Sequence, residues 1–146
     1  MDVQAQPILQ FNRFEVISVN ANLINPFNQE AKPNINLNIN PRVFYPEGLP
    51  NEFNIIIDLK VEAVDFFIIS IVAFGNFTLN KPVTDPDSKP FIDVNAPAIV
   101  FPYLRSFLST LTANLGAGFP PIILPPQFFQ GELIEYKPPV PAAKID

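Results

Sequence analysis

The run from Phe66 to Leu79 constrains the fold most, because its 14 residues carry no charge and are apolar on both alternating faces. Ser70, Gly75 and Asn76 interrupt the run, and it is shorter than the roughly 20 residues that a membrane helix needs. The run therefore predicts a buried β-strand. Antiparallel strands normally leave one face to solvent, so a strand that is apolar on both faces implies a helix, a partner subunit or a ligand over its second face.

Three segments before this run alternate apolar and polar residues, as half-buried antiparallel strands do. Residues 34–40 place asparagines on one face and isoleucine or leucine on the other, and residues 53–63 place their apolar side chains inward. Residues 14–23 also alternate, but their parity changes near Val16 and Ile17. Such a change predicts a β-bulge at that point.

A helix is predicted after an exposed loop over residues 81–90, where three prolines and four charges exclude regular structure. Asn95 is the expected N-cap, and Pro97 lies in the first turn, where its missing N–H costs nothing. Pro102 lies deeper, which predicts either a late helix start near Phe101 or a kink.

Apolar residues recur at helical spacing from Ile99 to Leu115 and form a face broad enough to lie between two layers. Gly116 and Gly118 are expected to end this helix. The following FPPIILPP is predicted to be extended, because consecutive prolines exclude a helix. Residues 128–136 are then predicted to form about two turns of a final helix.

Together these segments predict an α+β fold in a single domain over residues 1–146. The fold would consist of a four-stranded antiparallel sheet, followed by one long helix and a short or broken second helix. We expect the terminal residues 1–10 and 137–146 to be flexible.

The composition argues against catalysis, because the chain has no histidine, no cysteine and no glycine-rich phosphate loop. The remaining metal-ligand types are carboxylates at Asp85 and Asp87, or at Glu132 and Glu135, and we interpret the Asp-Pro-Asp sequence as a solvated turn. We therefore expect no enzyme activity, no metal and no cofactor. The net charge of -5, from 14 acidic and 9 basic residues, argues against nucleic-acid binding.

The expected location is the cytoplasm. The N-terminus has an early Asp2 and no basic segment followed by an apolar stretch, so it does not resemble a signal peptide. No apolar run is long enough to span a bilayer as a helix, so we expect no membrane span.

The chemistry that remains is apolar surface, since the chain carries 15 phenylalanines and 3 tyrosines. Most of these are expected to fill the core or a subunit interface. The alternative is a groove that binds unfolded polypeptide through aromatic faces and backbone edges, with acidic rim residues favouring basic clients. Arg105 lies beside Tyr103 and Phe107, and we interpret it as pairing with a carboxylate or helix carbonyls across an interface. Direct client contact by Arg105 is the alternative.

The stretch from Asn95 to Pro126 orders its motifs in a way that composition does not predict. It opens with Ala-Pro, continues through Phe-Pro-Tyr-x-Arg and an apolar helix, and closes with Gly-Phe-Pro-Pro and Leu-x-Pro. In this order it resembles the central helix and crossover loop of the SecB family of protein-export chaperones. The residues that carry the resemblance are Pro97, Phe101, Pro102, Tyr103, Arg105, Gly118, Phe119, Pro120, Pro121, Leu124 and Pro126.

The resemblance implies an ATP-independent holdase, which binds unfolded or translocation-competent polypeptides in hydrophobic grooves and so supports protein export. It also implies a homotetramer, a dimer of dimers in which two subunits pair their sheets and two dimers pack through the long helix. The implied client-groove residues are Phe119, Ile122, Ile123, Leu124, Phe128 and Phe129. The implied oligomer-interface residues are Tyr103, Arg105, Phe107, Leu108 and Leu111.

Two other functions stay open at the level of the sequence. One is a client-specific SecB-like chaperone, for example of the antitoxin in a toxin–antitoxin pair. The other is an oligomeric structural or adaptor protein that has lost the groove. The resemblance makes SecA a candidate partner, but the acidic tail through which many export chaperones engage SecA is replaced here by VPAAKID.

Overall fold

The computed structural model describes residues 7–26, 34–115, 121–125 and 132–138. In chain order, its elements are β1 (Leu9–Leu23), β2 (Ile35–Phe44), β3 (Glu52–Ala63), β4 (Phe67–Leu79), a 3-10 turn (Pro86–Ser88), a π-helical turn (Phe91–Asn95), α1 (Ala96–Ala113) and β5 (Ile134–Glu135). No helix within these described ranges is long and apolar enough to cross a membrane.

The strands form one sheet in the order β1-β4-β3-β2-β5, with the first four antiparallel and β5 parallel to β2. The predicted α+β class and the single main helix are confirmed, while the sheet has a fifth strand that was not predicted. This strand lies within residues 128–136, so the predicted final helix is wrong over the described part of that segment. A helix of two turns is marginal on its own, whereas the edge of β2 offers backbone partners.

The central strands bury one face of the sheet completely, and we call the face that carries α1 the inner face. On β3, the inward residues are buried and the intervening ones are not, as the alternation predicted. The two central strands align their inner residues in register, so that Ile57 lies opposite Ala73 and Val61 opposite Ile69. Burial of these aliphatic side chains supplies the main stabilisation of the fold.

The outer face of β4 departs from the sequence-based expectation that another element would cover it. Ile68, Val72 and Phe74 point to this face and are only half-buried. Side chains of neighbouring strands shield part of them, as the Arg13 guanidinium does at 5.5 Å from the centre of the Phe74 ring. Among the described residues, the helical layer lies on the inner face only.

The predicted bulge in β1 is confirmed by a shift of register between Val16 and Ser18, and a second shift occurs between Phe11 and Arg13. The second shift lets Phe11 pair with Phe77 and Phe14 pair with Gly75. Phe11 and Phe14 are three residues apart on β1, whereas their partners on β4 are two residues apart. The extra residue keeps both phenylalanines on the inner face.

Helix α1 begins directly after Asn95 and has Pro97 in its first turn, as predicted. Its first residue is Ala96 and Pro102 lies inside it, so the late start near Phe101 is wrong. Asn95 does not act as an N-cap, because it has helical backbone angles and its side chain makes no capping hydrogen bond. The π-helical turn runs directly into α1, and the N–H of Ala96 donates to the carbonyl of Phe91.

Local hydrogen bonds mark the two ends of the helical region. Residues 81–90, predicted to be irregular, contain the 3-10 turn, and the Asp85 carboxylate accepts the N–H of Asp87 at 2.9 Å. This contact confirms Asp85 as a turn residue. At the other end α1 stops at Ala113, and the backbone N–H of Asn114 donates to carbonyls of the last turn. Gly116 and Gly118, the predicted stop, lie outside the described residues.

The helix packs on the sheet through Gly75 of β4. A Cβ atom at this position would overlap the Cγ2 methyl of Val100 and would lie 3.2 Å from the rings of Phe11 and Phe77. Tyr103 lies nearby, with its ring centre 5.2 Å from that of Phe11. Because glycine has no side chain, α1 approaches the β4 backbone closely at this point.

Residues 121–125 are attached to the last turns of α1. The Thr112 hydroxyl donates to the carbonyl of Leu108 at 2.9 Å and accepts the N–H of Ile122 at 2.7 Å. The Ser109 hydroxyl donates to the carbonyl of Ile122 at 3.2 Å. Leu124 then enters the hydrophobic core.

Replacing Gly75 by alanine should lower the free energy of unfolding by about 1–3 kcal/mol, because the new methyl group collides with Val100. Urea denaturation of the two proteins measures the difference. The double variant Gly75→Ala with Val100→Ala serves as the control, since removing the opposing methyl groups should relieve part of the penalty. Strictly additive losses would show that this contact does not limit the helix–sheet distance.

Replacing Thr112 by valine should release residues 121–125 while leaving α1 intact. The change leaves the Ile122 N–H without its acceptor, which costs about 1–3 kcal/mol. We expect faster amide hydrogen exchange at Ile122 and little change in helix content by circular dichroism. Thr110→Val, at an exposed position of the same helix, is the matched control. Equal exchange rates at Ile122 in the two variants would contradict this role of Thr112.

Candidate polypeptide-binding site

The side of β2 that faces away from β3 is an unpaired backbone edge over most of its length among the described residues. Here β5 pairs with β2 only at Arg42 and Val43. No strand among the described residues pairs with Ile35–Asn40 on this side. We call the backbone of Ile35–Ile39 on this side the β2 edge.

The direction of the backbone groups along β2 follows from one hydrogen bond. The N–H of Tyr136 donates to the carbonyl of Val43 at 2.7 Å, so the backbone groups of Val43 point away from β3. Alternate residues of a strand share this direction, so Ile35, Leu37 and Ile39 also point their N–H and carbonyl groups outward. The β2 edge therefore presents three donors and three acceptors to an incoming chain.

Apolar side chains flank these backbone groups. Ile35, Leu37 and Ile39 lie on the inner face of the sheet, in register with buried residues of β3. Ile35 is 50% exposed, while Leu37 and Ile39 are half-buried against the core. An incoming strand would therefore find unpaired backbone groups and an apolar rim on one face.

Pro41 separates the β2 edge from the strand pair with β5. Its backbone has the same outward direction as that of Val43, but proline has no N–H to donate. In the middle of a sheet such a residue removes a ladder hydrogen bond, whereas at an edge it is tolerated. Pro41 directly follows the alternating residues 34–40 in the sequence, and a proline at this position indicates an edge strand, which was not predicted.

The C-terminal residues 132–136 close one end of this surface through polar contacts. Lys89 Nζ lies 2.7 Å from Glu132 Oε1 and 3.4 Å from an Asp93 carboxylate oxygen. The N–H of Leu133 donates to Asp93 Oδ1 at 3.3 Å. The hydrogen bond between Lys89 and Glu132 raises the pKa of the lysine and lowers the pKa of the glutamate, so both groups are charged at neutral pH.

Aromatic contacts hold the other end of the same segment. The Arg42 guanidinium lies 4.8 Å from the centre of the Tyr136 ring and also forms an ion pair with Asp58. Phe44 meets the Tyr136 ring edge to face, with centres 6.2 Å apart. Between β2 and residues 132–134 lies a cavity of about 450 Å³, also lined by Asn40, Pro41 and Asp58. These residues were not predicted to form a site, because Glu132–Tyr136 were predicted to lie on a helix.

The predicted groove residues have different environments. Ile123 is 69% exposed and Ile122 is half-buried, so both offer apolar surface. Leu124 is buried in the core of the chain and leaves almost no surface for a client. Phe119, Phe128 and Phe129 lie outside the described residues.

The predicted interface residues lie on α1 with graded exposure. Tyr103 is 48% exposed and stacks on Phe14 at 5.5 Å between ring centres. Arg105, Phe107 and Leu111 are half-buried, and Arg105 forms no ion pair with a described residue. Leu108 is fully buried within the subunit, so its replacement would test folding of the chain rather than assembly.

Comparison with known proteins places this architecture among protein-export chaperones. The profile of the family described as preprotein translocase subunit SecB matches residues 6–133. A protein-export protein SecB of Actinobacillus succinogenes is 31% identical over 143 residues, which cover 91% of this chain and 83% of that protein. The SecB of Granulibacter bethesdensis is 30% identical over 106 residues, which cover 66% of this chain and 60% of that protein.

Two further similarities extend the comparison. An uncharacterized protein of Methanocaldococcus jannaschii is 32% identical over 131 residues, covering 86% of this chain and 83% of that protein. A SecB-like chaperone of Mycobacterium tuberculosis, solved with a ChAD peptide from an antitoxin, has the same fold, with a TM-score of 0.65 and 16% identity. That similarity covers 82% of this chain and 87% of the mycobacterial one. The sequence matches and the shared fold together show that this chain belongs to the SecB family of chaperones.

Proposed function

We propose that this protein is a non-enzymatic, ATP-independent holdase that keeps unfolded or translocation-competent polypeptides soluble and so supports protein export. The β2 edge carries the proposal, because it combines outward backbone groups with an apolar rim on one face. Membership of the SecB family and the export function named for its relatives support the same activity. We place this activity in the cytoplasm, where an export chaperone meets its clients before translocation.

The proposed binding mode is addition of a client strand to β2. Main-chain hydrogen bonds to Ile35, Leu37 and Ile39 would give affinity without regard to the client sequence. The apolar rim would favour clients that expose hydrophobic residues at alternate positions. Such a mode suits unfolded chains, since they expose both free backbone groups and apolar side chains.

The proposed assembly is a homotetramer built as a dimer of dimers. The opposite edge of the sheet is β1, a strand of 15 residues that pairs only with β4 among the described elements. Pairing of two β1 strands would join two sheets, and the exposed Tyr103 with the half-buried Phe107 and Leu111 would pack between dimers. Arg105 would then find an acceptor on a neighbouring subunit.

The charge of the chain bears on the choice of client. With a net charge of -5, the protein should attract basic polypeptides faster than acidic ones, since complementary charge raises association rates. The contribution of charge falls as salt concentration rises.

A client-specific chaperone is the second candidate function. The mycobacterial chaperone with the same fold was solved with a peptide from an antitoxin, and this observation favours the narrower function for a SecB-like fold. One dominant co-purified client would support it, whereas a broad set of clients would support the general holdase.

The holdase proposal predicts that this protein suppresses aggregation of a chemically denatured test protein diluted into buffer. Light scattering should fall as the chaperone approaches stoichiometric amounts, without added ATP. An equal mass of bovine serum albumin serves as the control for nonspecific protection. Unchanged scattering, together with the absence of a co-purified client, would favour an oligomeric structural or adaptor protein.

The strand-addition mode predicts that Ile35→Lys weakens binding of an unfolded peptide about fivefold, or about 1 kcal/mol, because it removes part of the apolar rim. Fluorescence anisotropy of a labelled peptide measures the dissociation constant. Asn36→Lys is the matched control, since it adds the same charge to the same strand on the outer face. Equal affinities of the two variants would remove the rim from the binding site.

A further inference from the structure

Residues Glu132–Tyr136, which we call the strap, occupy the end of β2 that a long client strand would need. The strap pairs with Arg42 and Val43. The β2 edge, by contrast, ends at Ile39. A client of a few residues can therefore pair beside the strap, whereas a client spanning all ten residues of β2 cannot.

The strap is held at both ends and exposed between them. One ion pair joins Glu132 to Lys89, and one hydrogen bond joins the Leu133 N–H to the Asp93 carboxylate. The Tyr136 ring and backbone fix its other end to β2. Ile134, in the middle, is 74% exposed, so the apolar contacts of the strap are limited to the partly buried Leu133 and to Tyr136.

These contacts favour local opening. Segments with few buried apolar contacts and solvent-exposed hydrogen bonds open far more easily than the core. Exposed ion pairs add little stability, because water and salt screen them. Opening the strap leaves the central sheet and α1 unchanged, since neither the central strands nor the helix requires β5 to complete its own hydrogen bonds.

We propose that the strap is a built-in competitor for client strands, which leaves β2 when a client long enough to span the strand binds. This inference rests on the proposed client binding at β2. It assigns the strap the same chemistry as the client: an extended backbone that adds in parallel to Arg42 and Val43. The strap thereby sets the maximum length of client that can pair with β2 without displacing the strap.

The first test weakens the strap and measures client affinity. Glu132→Lys turns the attraction to Lys89 into repulsion, so the strap should open more often. A fluorescein-labelled peptide of alternating valine and lysine, about 12 residues long, spans β2 at roughly 3.3 Å per residue. We expect Glu132→Lys to bind it about two- to fivefold more tightly than a charge-matched control does.

The control is Asp87→Lys, which introduces the same change of charge and breaks an exposed ion pair with Lys81 that does not touch the strap. Comparison with this control separates the effect of the strap from the general effect of added positive charge on the affinity for a basic peptide. The exchanged pair Lys89→Glu with Glu132→Lys restores an ion pair at unchanged net charge. This double variant should therefore bind the peptide less tightly than Glu132→Lys alone.

The second readout is amide hydrogen exchange at Tyr136, whose N–H donates to Val43. Saturation of the natural protein with the long peptide should speed this exchange. Equal peptide affinities of Glu132→Lys and Asp87→Lys would overturn the strap proposal, and so would a Tyr136 amide that stays protected in the complex. In either case, binding of the peptide would still uphold the proposed function. Failure of every variant to bind the peptide would overturn both.

Discussion

The contact between α1 and the inner face of β3 and β4 is the interaction on which the other features of the molecule depend. Gly75 lets the helix approach the sheet, and aliphatic side chains of both central strands are buried beneath this layer. The same arrangement leaves the inner residues of the two outer strands only partly covered, as Ile35 on β2 shows. The packing of α1 on the centre of this sheet thus produces both a stable centre and an apolar rim.

The proposed function follows from that uneven coverage, because the edge strand β2 exposes unpaired backbone groups as well as apolar side chains. A protein that remains monomeric and inert normally protects such an edge with charges, prolines or a covering segment. Here Pro41 and the strap protect the end of β2, while no described strand pairs with the β2 edge itself. The mixture is suited to transient pairing with an unfolded chain, since it offers sequence-independent hydrogen bonds without a fixed partner.

Much of the fold was predictable, because alternation and parity report burial directly. The inward face of β3 and the bulge near Val16 were both predicted from residue order. The π-helical turn before α1 was not, since the local rules applied at Asn95 and Pro102 do not include such a turn. The strand Ile134–Glu135 was also missed, because its structure comes from a distant partner rather than from its own sequence. For the candidate site, the motif order indicated the family. The position of β2 near the edge of the sheet could not be predicted, because the alternation of residues does not give the order of the strands.

The central claim is that unfolded polypeptides pair with the β2 edge, and amide hydrogen exchange at single-residue resolution tests it most directly. The exchange rates of Ile35, Leu37 and Ile39 would be measured with and without a saturating denatured client. Strand addition predicts that all three amides become protected, because their N–H groups point toward the incoming chain. Unchanged exchange at these residues in a complex that has bound client would contradict the account and move the client site elsewhere.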